Sequence, residues 1–176
     1  MSGPGTLGWA PVTAGLVAPA VASALAVWPG ADQVMAADID PELADTAAFC
    51  ARYGVEPVDS ANCVVIAGRR GSERTLAACV VLATTRIDVN GFVRRALAAK
   101  KASFAPMDEA VSLTGMEHGG ITPIGLPPSW PILVDAAVVE RDVVVIGSGL
   151  RRSKLALPAG LLAALEGAEV VQGMAG

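Results

Sequence analysis

Cys63-Val64-Val65-Ile66-Ala67, then Gly68-Arg69-Arg70-Gly71, then Leu76-Ala77-Ala78-Cys79-Val80-Val81-Leu82 carries the strongest strand signal in the chain. The first run is short, apolar and β-branched, the glycines and arginines form a basic turn, and the second run returns as the partner strand of a hairpin. The second run has almost no polar interruption, which predicts burial on both faces.

Downstream, Pro131-Ile132-Leu133-Val134-Asp135 and Val143-Val144-Val145-Ile146 read as strands, and Gly147-Ser148-Gly149 punctuates after them. Lys154-Leu155-Ala156-Leu157 reads as a last strand with alternating faces, and Pro158-Ala159-Gly160-Leu161-Leu162 begins a terminal helix. Upstream, Pro19 to Val27 reads as helical and is stopped by Trp28-Pro29-Gly30, while Val34 to Ala37 reads as a short strand. Asp40-Pro41-Glu42 opens a helix that runs through Thr46, Ala47, Phe49 and Cys50 to Gly54, with Asp40 as its cap and Pro41 in its first turn. Between hairpin and downstream strands, Asp88 and Asn90 cap a helix over Phe92 to Ala99, and Pro106-Met107-Asp108-Glu109 starts another that ends at Gly115. The expectation is a mixed α+β fold in one domain spanning 1–176, with strands that meet out of sequence order.

Composition narrows the function classes. Hydrophobic residues make up 53% and aromatic residues only 4%, so the core is aliphatic. The apolar run from Pro11 to Trp28 is interrupted by Pro19 and Gly15 and has no basic flank, which argues against a membrane span. Met1 to Ala10 lacks the positive charge of a signal peptide, so the expected location is cytosolic. Cys50, Cys63 and Cys79 form no CxxC and His118 is the single histidine, so reduced thiols are expected, with no metal and no cofactor. A Ser-His-Asp triad is disfavoured because no GxSxG accompanies His118. A net charge of −4 argues against wholesale nucleic-acid wrapping. The cations are grouped nonetheless: Arg69, Arg70 and Arg74; Arg94, Arg95, Lys100 and Lys101; Arg151, Arg152 and Lys154. Each group is a solvated face on its own and an anion-binding patch if the fold unites it with another.

Gly119-Gly120-Ile121-Thr122-Pro123-Ile124-Gly125 is the main candidate for chemistry. Glycines admit close approach to backbone N–H groups and proline stiffens the turn, a combination suited to holding a carbonyl or an oxyanion. An ordinary tight turn is the plain alternative.

Taken in order, "ANCVVIAG", "ALAAKKASFAP", "LTGMEHGGITPIGLP", "PILVDAAV", "VVVIGSG" and "RRSKLALP" resemble the YbaK/EbsC family, freestanding relatives of the editing domain inserted in bacterial prolyl-tRNA synthetases. The resemblance runs from about residue 38 to 165 and is weakest over the lead-in, 1–30. It implies a mixed, barrel-like sheet with helices outside and a pocket between. It also implies hydrolysis of the ester joining a wrong amino acid to the terminal adenosine of a tRNA, in trans, by a positioned water and backbone stabilisation of the carbonyl oxygen. Implied partners are a mischarged tRNA and an aminoacyl-tRNA synthetase, with the protein a monomer or homodimer.

The resemblance assigns candidate roles. Gly119, Gly120 and Ile121 supply the carbonyl-binding amides, and Thr122, Pro123 and Gly125 complete the substrate loop. Asp135 lines the site or caps the following segment. Gly147, Ser148 and Gly149 let the acceptor end approach the backbone, or form a bulge. Arg151, Arg152 and Lys154 contact acceptor-stem phosphates, or form a charged strand edge. Many relatives carry a lysine on the strand entering the pocket; here Asn62 occupies that place, able to orient a carbonyl or ribose hydroxyl but bringing no charge. That departure keeps a second reading open, a non-catalytic module that binds an aminoacyl-adenosine end. A third is a small-molecule ester or amide hydrolase without RNA.

Overall fold

Nine strands are present among the residues described by this computed structural model, which are 3–176; the first two residues of the lead-in lie outside them. The strands are β1 (Ala10–Pro11), β2 (Met35–Asp38), β3 (Ala61–Arg70), β4 (Glu73–Leu82), β5 (Lys101–Phe104), β6 (Ile132–Asp135), β7 (Val143–Gly147), β8 (Ser153–Pro158) and β9 (Ala168–Val171). The α-helices are short: α1 (Pro19–Leu25), α2 (Thr46–Tyr53), α3 (Arg94–Ala96), α4 (Met107–Thr114) and α5 (Ala136–Val139).

The β3–β4 hairpin is the axis of a five-stranded sheet of order β5-β3-β4-β6-β9, in which β4–β6 and β6–β9 are parallel. A second, four-stranded antiparallel sheet has the order β1-β2-β8-β7. The fold is the expected mixed α+β, with strands meeting out of sequence order. The sheets meet at one parallel bridge, Ser60 to Val145, and do not close into a barrel.

Burial of β4 on both faces has a direct cause. Ala78, Val80 and Leu82 point into the core between the sheets, with Ile132, Val134, Ile146, Leu155 and Leu157. Cys79 and Val81 point the other way, onto Ile66, Val93, Leu133 and Met174. Each fully buried Val, Leu or Ile side chain here contributes roughly 1.5–3 kcal/mol of transfer free energy.

The alternating faces expected of Lys154 to Leu157 are present: Leu155 and Leu157 enter the inter-sheet core while Ala156 packs with Phe49 and Val145 under α2. Three local expectations are corrected by tertiary packing. These residues are not the last strand, because the segment after Pro158 is a 3-10 helix, Ala159–Ala164, that feeds β9. The helix expected from Asp40 to Gly54 is two pieces: a 3-10 turn, Pro41–Leu43, capped by Asp40, and then α2, capped by Asp45. The Asp88-capped segment is a π-turn, Val89–Val93, running into the single turn α3; Ala98 then takes φ +50° and the chain enters β5 instead of continuing to Ala99 as helix.

The lead-in belongs to the core. Val17, Ala18, Val21 and Leu25 are buried against the inter-sheet residues, and β1 pairs with β2. No helix among the described residues is long and apolar enough to cross a membrane.

Candidate active-site cleft

The bridge between Ser60 and Val145 explains where the cleft lies. From that point β3 and β7 run in the same direction, so Asn62 and Gly147, each two residues further on, both face the gap opening between the sheets. Helix α2 covers one side and the 118–121 loop the other. The result is a cleft of about 810 Å³, lined by Asp45, Thr46, Cys50, Asn62, Cys63, His118, Gly119, Ile121, Gly147 and Lys154, with small side chains such as Ala44, Ala47, Ala51 and Ala61 completing its walls. Clefts of this size accommodate a small organic ligand.

The loop is held from below by the Gly147–Gly149 turn. Gly149 donates its N–H to the Gly120 carbonyl at 2.7 Å, and its own carbonyl accepts from Glu117 N–H at 2.8 Å. A Cβ at position 147 would lie 2.5 Å from the Gly120 oxygen and 2.8 Å from that of Ile121, so only glycine lets the loop cross β7 this closely. Arg151 pins the loop from the side, donating to the His118 carbonyl at 3.0 Å and the Pro41 carbonyl at 2.9 Å.

The seven-residue glycine loop divides between three environments. Gly119 and Ile121 line the cleft, and among the described residues neither N–H has a backbone acceptor. Gly120, expected as a third amide donor, gives its N–H to the Glu117 carbonyl at 2.9 Å and is a pivot of the turn. Thr122 is fully buried, away from the cleft, and its Oγ1 has no hydrogen-bond partner. Pro123 and Gly125 line a separate cavity of about 440 Å³ with Trp28, Leu126 and Trp130. The chain leaves the cleft at Thr122 because Ile124 must reach the core, where it is 1% exposed.

Other expected site residues also settle into structural positions. Asp135 is buried at the end of β6; its Oδ1 accepts from Ala137 N–H at 3.0 Å, capping α5, and its Oδ2 accepts from Ala175 N–H at 3.1 Å. The capping alternative is the one its contacts describe. Ser148 is buried, its hydroxyl 2.7 Å from that of Ser153, and it braces the turn instead of facing the cleft. Of the Gly-Ser-Gly turn, only Gly147 lines the cleft.

Asn62 does line the cleft, and its Oδ1 accepts from the Thr46 hydroxyl at 2.7 Å, which fixes the amide and leaves its NH2 group as a donor. Thr46, Asp45 and Cys50 were missed as cleft residues because the sequence reading started α2 too early. The Asp45-Thr46 cap pair was the available signal.

Arg151, Arg152 and Lys154 do not form one patch. Arg151 holds the loop and Arg152 reaches the Gly15 carbonyl. Lys154 is 7% exposed on β8, an interior strand between β2 and β7, so it neither forms a sheet edge nor stands out toward solvent phosphates. Its Nζ donates to the Ala44 carbonyl at 3.0 Å and lies 5.2 Å from the centre of the Phe49 ring. Burial pushes its pKa below the ordinary lysine range, an effect opposed by Cys50 and Asp45 and reinforced by Arg151. The cleft thiols shift the other way: desolvation raises Cys50 and Cys63 above the usual thiol value. Neither is a poised thiolate.

The other two cationic groups do converge. Pairing of Arg69 with Lys101 across β3–β5 brings Arg69, Arg94, Lys100 and Lys101 around a groove of about 500 Å³. It lies seven residues along β3 from Asn62, about 23 Å of extended strand. Arg74 turns away to a two-pronged ion pair with Glu109.

Comparison with known proteins agrees with this architecture. A structure described as a candidate trans-editing enzyme for prolyl tRNA synthetase superposes with a TM-score of 0.74 at 21% identity, over 89% of this chain and 97% of the other. A scaffold used in computational grafting of linear epitopes gives 0.74 at 22% identity, over 88% and 95%. The hypothetical protein APE2540 gives 0.66 at 26% identity, over 76% and 85%. The family model of the aminoacyl-tRNA editing domain matches residues 40–164, which include every cleft-lining side chain named above. This chain belongs to the aminoacyl-tRNA editing domain family.

Proposed function

We propose that the protein is a trans-acting deacylase that hydrolyses the ester of a mischarged tRNA. The observation that carries this reading is the cleft itself, where two unpartnered loop amides, Gly119 and Ile121, stand with the Asn62 amide in a small-residue pocket. An aminoacyl ester is already activated, so a positioned water and a polarised carbonyl suffice. The raised thiols of Cys50 and Cys63 favour water over a covalent nucleophile. The alanine-rich walls suit a small amino-acid side chain, selected by size, which discriminates only about 10–200-fold per methylene.

The acceptor end enters the cleft beside Arg151, and the groove of Arg69, Arg94, Lys100 and Lys101 offers phosphate contacts further along the RNA. The similarity to a structure described as serving prolyl tRNA synthetase supports tRNAs of that enzyme as the first to test. A second reading, a binding module without chemistry, draws on the Asn62–Thr46 bond, which ties up an uncharged side chain at a position where the family resemblance implies a lysine in many members.

A deacylation time course on tRNAs charged with Ala, Ser, Cys, Thr and Pro tests the proposal. Hydrolysis of one species well above the uncatalysed rate is the expected result. Uncatalysed rates across the panel, with tRNA still bound, overturn it in favour of the binding module.

A further inference from the structure

Lys154 is a nearly buried cation on the cleft wall with no counterion in contact among the described residues. It is 7% exposed, and among the described residues no carboxylate lies within ion-pair distance of it. Its Nζ makes a single protein hydrogen bond, to the Ala44 carbonyl, while an ammonium carries three donors. The Phe49 ring, 5.2 Å from Nζ, and the Ala44 carbonyl offset part of the cost of burying this charge, but a methionine of similar length would fill the same space without that cost. The side chain is therefore poorly explained as a structural element.

Its position points to a ligand. Lys154 lines the cleft and is the register partner of Gly147 across β7–β8. Gly147 in turn lies directly beneath the carbonyls of Gly120 and Ile121. The lysine thus approaches from the four-stranded sheet, at the base of the loop whose Gly119 and Ile121 amides are unpartnered. Asn62 approaches from the five-stranded sheet.

We propose that Lys154 is the charged donor of this site, its ammonium hydrogen-bonding the oxygen that becomes negative when water attacks the aminoacyl ester. This rests on the deacylase reading and adds to it the residue that supplies positive charge, from a different strand than the one bearing Asn62. In the step, water oxygen bonds to the ester carbon and the carbonyl oxygen takes the negative charge beside Lys154 and the loop amides. Collapse breaks the bond from carbon to the ribose oxygen, which takes a proton from the attacking water and leaves as the free hydroxyl of tRNA. The amino acid leaves as its carboxylate, releasing the second proton to solvent. Lys154 stays protonated throughout.

The groups facing Lys154 are Asp45, the cap of α2, Cys50 of α2 and Arg151 of the β7–β8 turn, with Glu56 and His118 on the cleft walls. Because burial lowers the lysine's pKa, the rate should fall at alkaline pH earlier than an ordinary lysine would dictate.

The test compares wild type, Lys154→Met and Lys154→Arg on the mischarged tRNA that wild type hydrolyses best, with thermal unfolding of each. Lys154→Met is expected to lose about 100- to 1000-fold in kcat, the scale of one oxyanion donor. Its KM should change little, because the interaction forms in the transition state, and its Tm should equal or exceed that of wild type. Lys154→Arg is expected to recover part of the rate and to move the alkaline limb to higher pH, since a guanidinium stays charged. Wild-type activity with Lys154→Met within about threefold of it in kcat would overturn the role of Lys154 and leave the deacylase reading standing. Should Lys154→Met fail to fold, Lys154→Arg decides: an unchanged alkaline limb overturns the proposal. A wild type inactive on the whole panel overturns both.

Discussion

The Thr46 hydroxyl donates to the Asn62 side-chain oxygen at 2.7 Å, joining the first turn of α2 to the start of β3 across the floor of the cleft. The bond orients the Asn62 amide so that its NH2 group is the end left to meet a ligand. Thr46→Val removes the donor while conserving shape, and should lower kcat/KM about tenfold, the value of one hydrogen bond of roughly 1.4 kcal/mol. In an Asn62→Ala background the same change should have little further effect. Additive losses in that double-mutant cycle would show that the two side chains act independently.

Gly147 lies 2.5 Å, measured from a hypothetical Cβ, below the Gly120 carbonyl. Gly147→Ala must displace backbone, so it should cost about 1–3 kcal/mol by chemical denaturation and abolish deacylation. Gly160, with open space around it, provides the contrast. Gly160→Ala should be neutral or stabilising by about 0.4–1 kcal/mol.

Thr122 buries a hydroxyl that has no partner. Thr122→Val keeps the shape and removes the unsatisfied group, for a gain of about 1 kcal/mol. Differential scanning calorimetry should register a Tm increase of roughly 2–4 °C in a chain of this size. A lower Tm would mean that the hydroxyl is satisfied in solution.

Asp135 accepts from Ala137 and Ala175 N–H groups and stands outside the cleft. Asp135→Ala should destabilise the fold by about 2 kcal/mol, the combined loss of a helix cap and a second backbone contact. Its kcat/KM per folded molecule should match wild type. A selective loss of kcat would return Asp135 to the catalytic machinery.

Lys154 also makes a thermodynamic prediction, whose sign follows from its lowered pKa. Between the folded-state value and the ordinary lysine range, the unfolded chain binds more protons than the folded one. Stability therefore rises with pH through that window. Below it the cost of the buried charge is fully present. Urea titrations of wild type against Lys154→Met should show the variant's advantage at neutral pH shrinking as pH rises; a constant difference would mean that Lys154 titrates normally.

Local signals made much of the fold legible. The hairpin, β2, β6, β7, α1 and α4 follow from apolar runs and their glycine, proline and aspartate boundaries. Strands β5 and β9 did not, because Lys101–Phe104 and Ala168–Val171 are half-exposed and owe their conformation to pairing with β3 and β6. Of the candidate site, Asn62, Gly119, Ile121 and Gly147 lie together in the cleft. Gly120 and Ser148 serve the loop's own bonding, and Asp135 caps a helix.

The sequence by itself determined an aliphatic α+β core, a hairpin whose second strand is buried on both faces, and a glycine loop able to lie close against a strand, since period, composition and backbone freedom are properties of contiguous residues. Tertiary structure alone decided that this loop sets Gly119 and Ile121 on the cleft wall and buries its threonine. It also decided that Thr46 bonds to Asn62 and that the cleft's buried ammonium comes from β8. Those outcomes depend on which strands pair and where the two sheets part, and a contact such as Lys154 to Ala44, 110 positions apart, leaves no mark on the order of the residues around either.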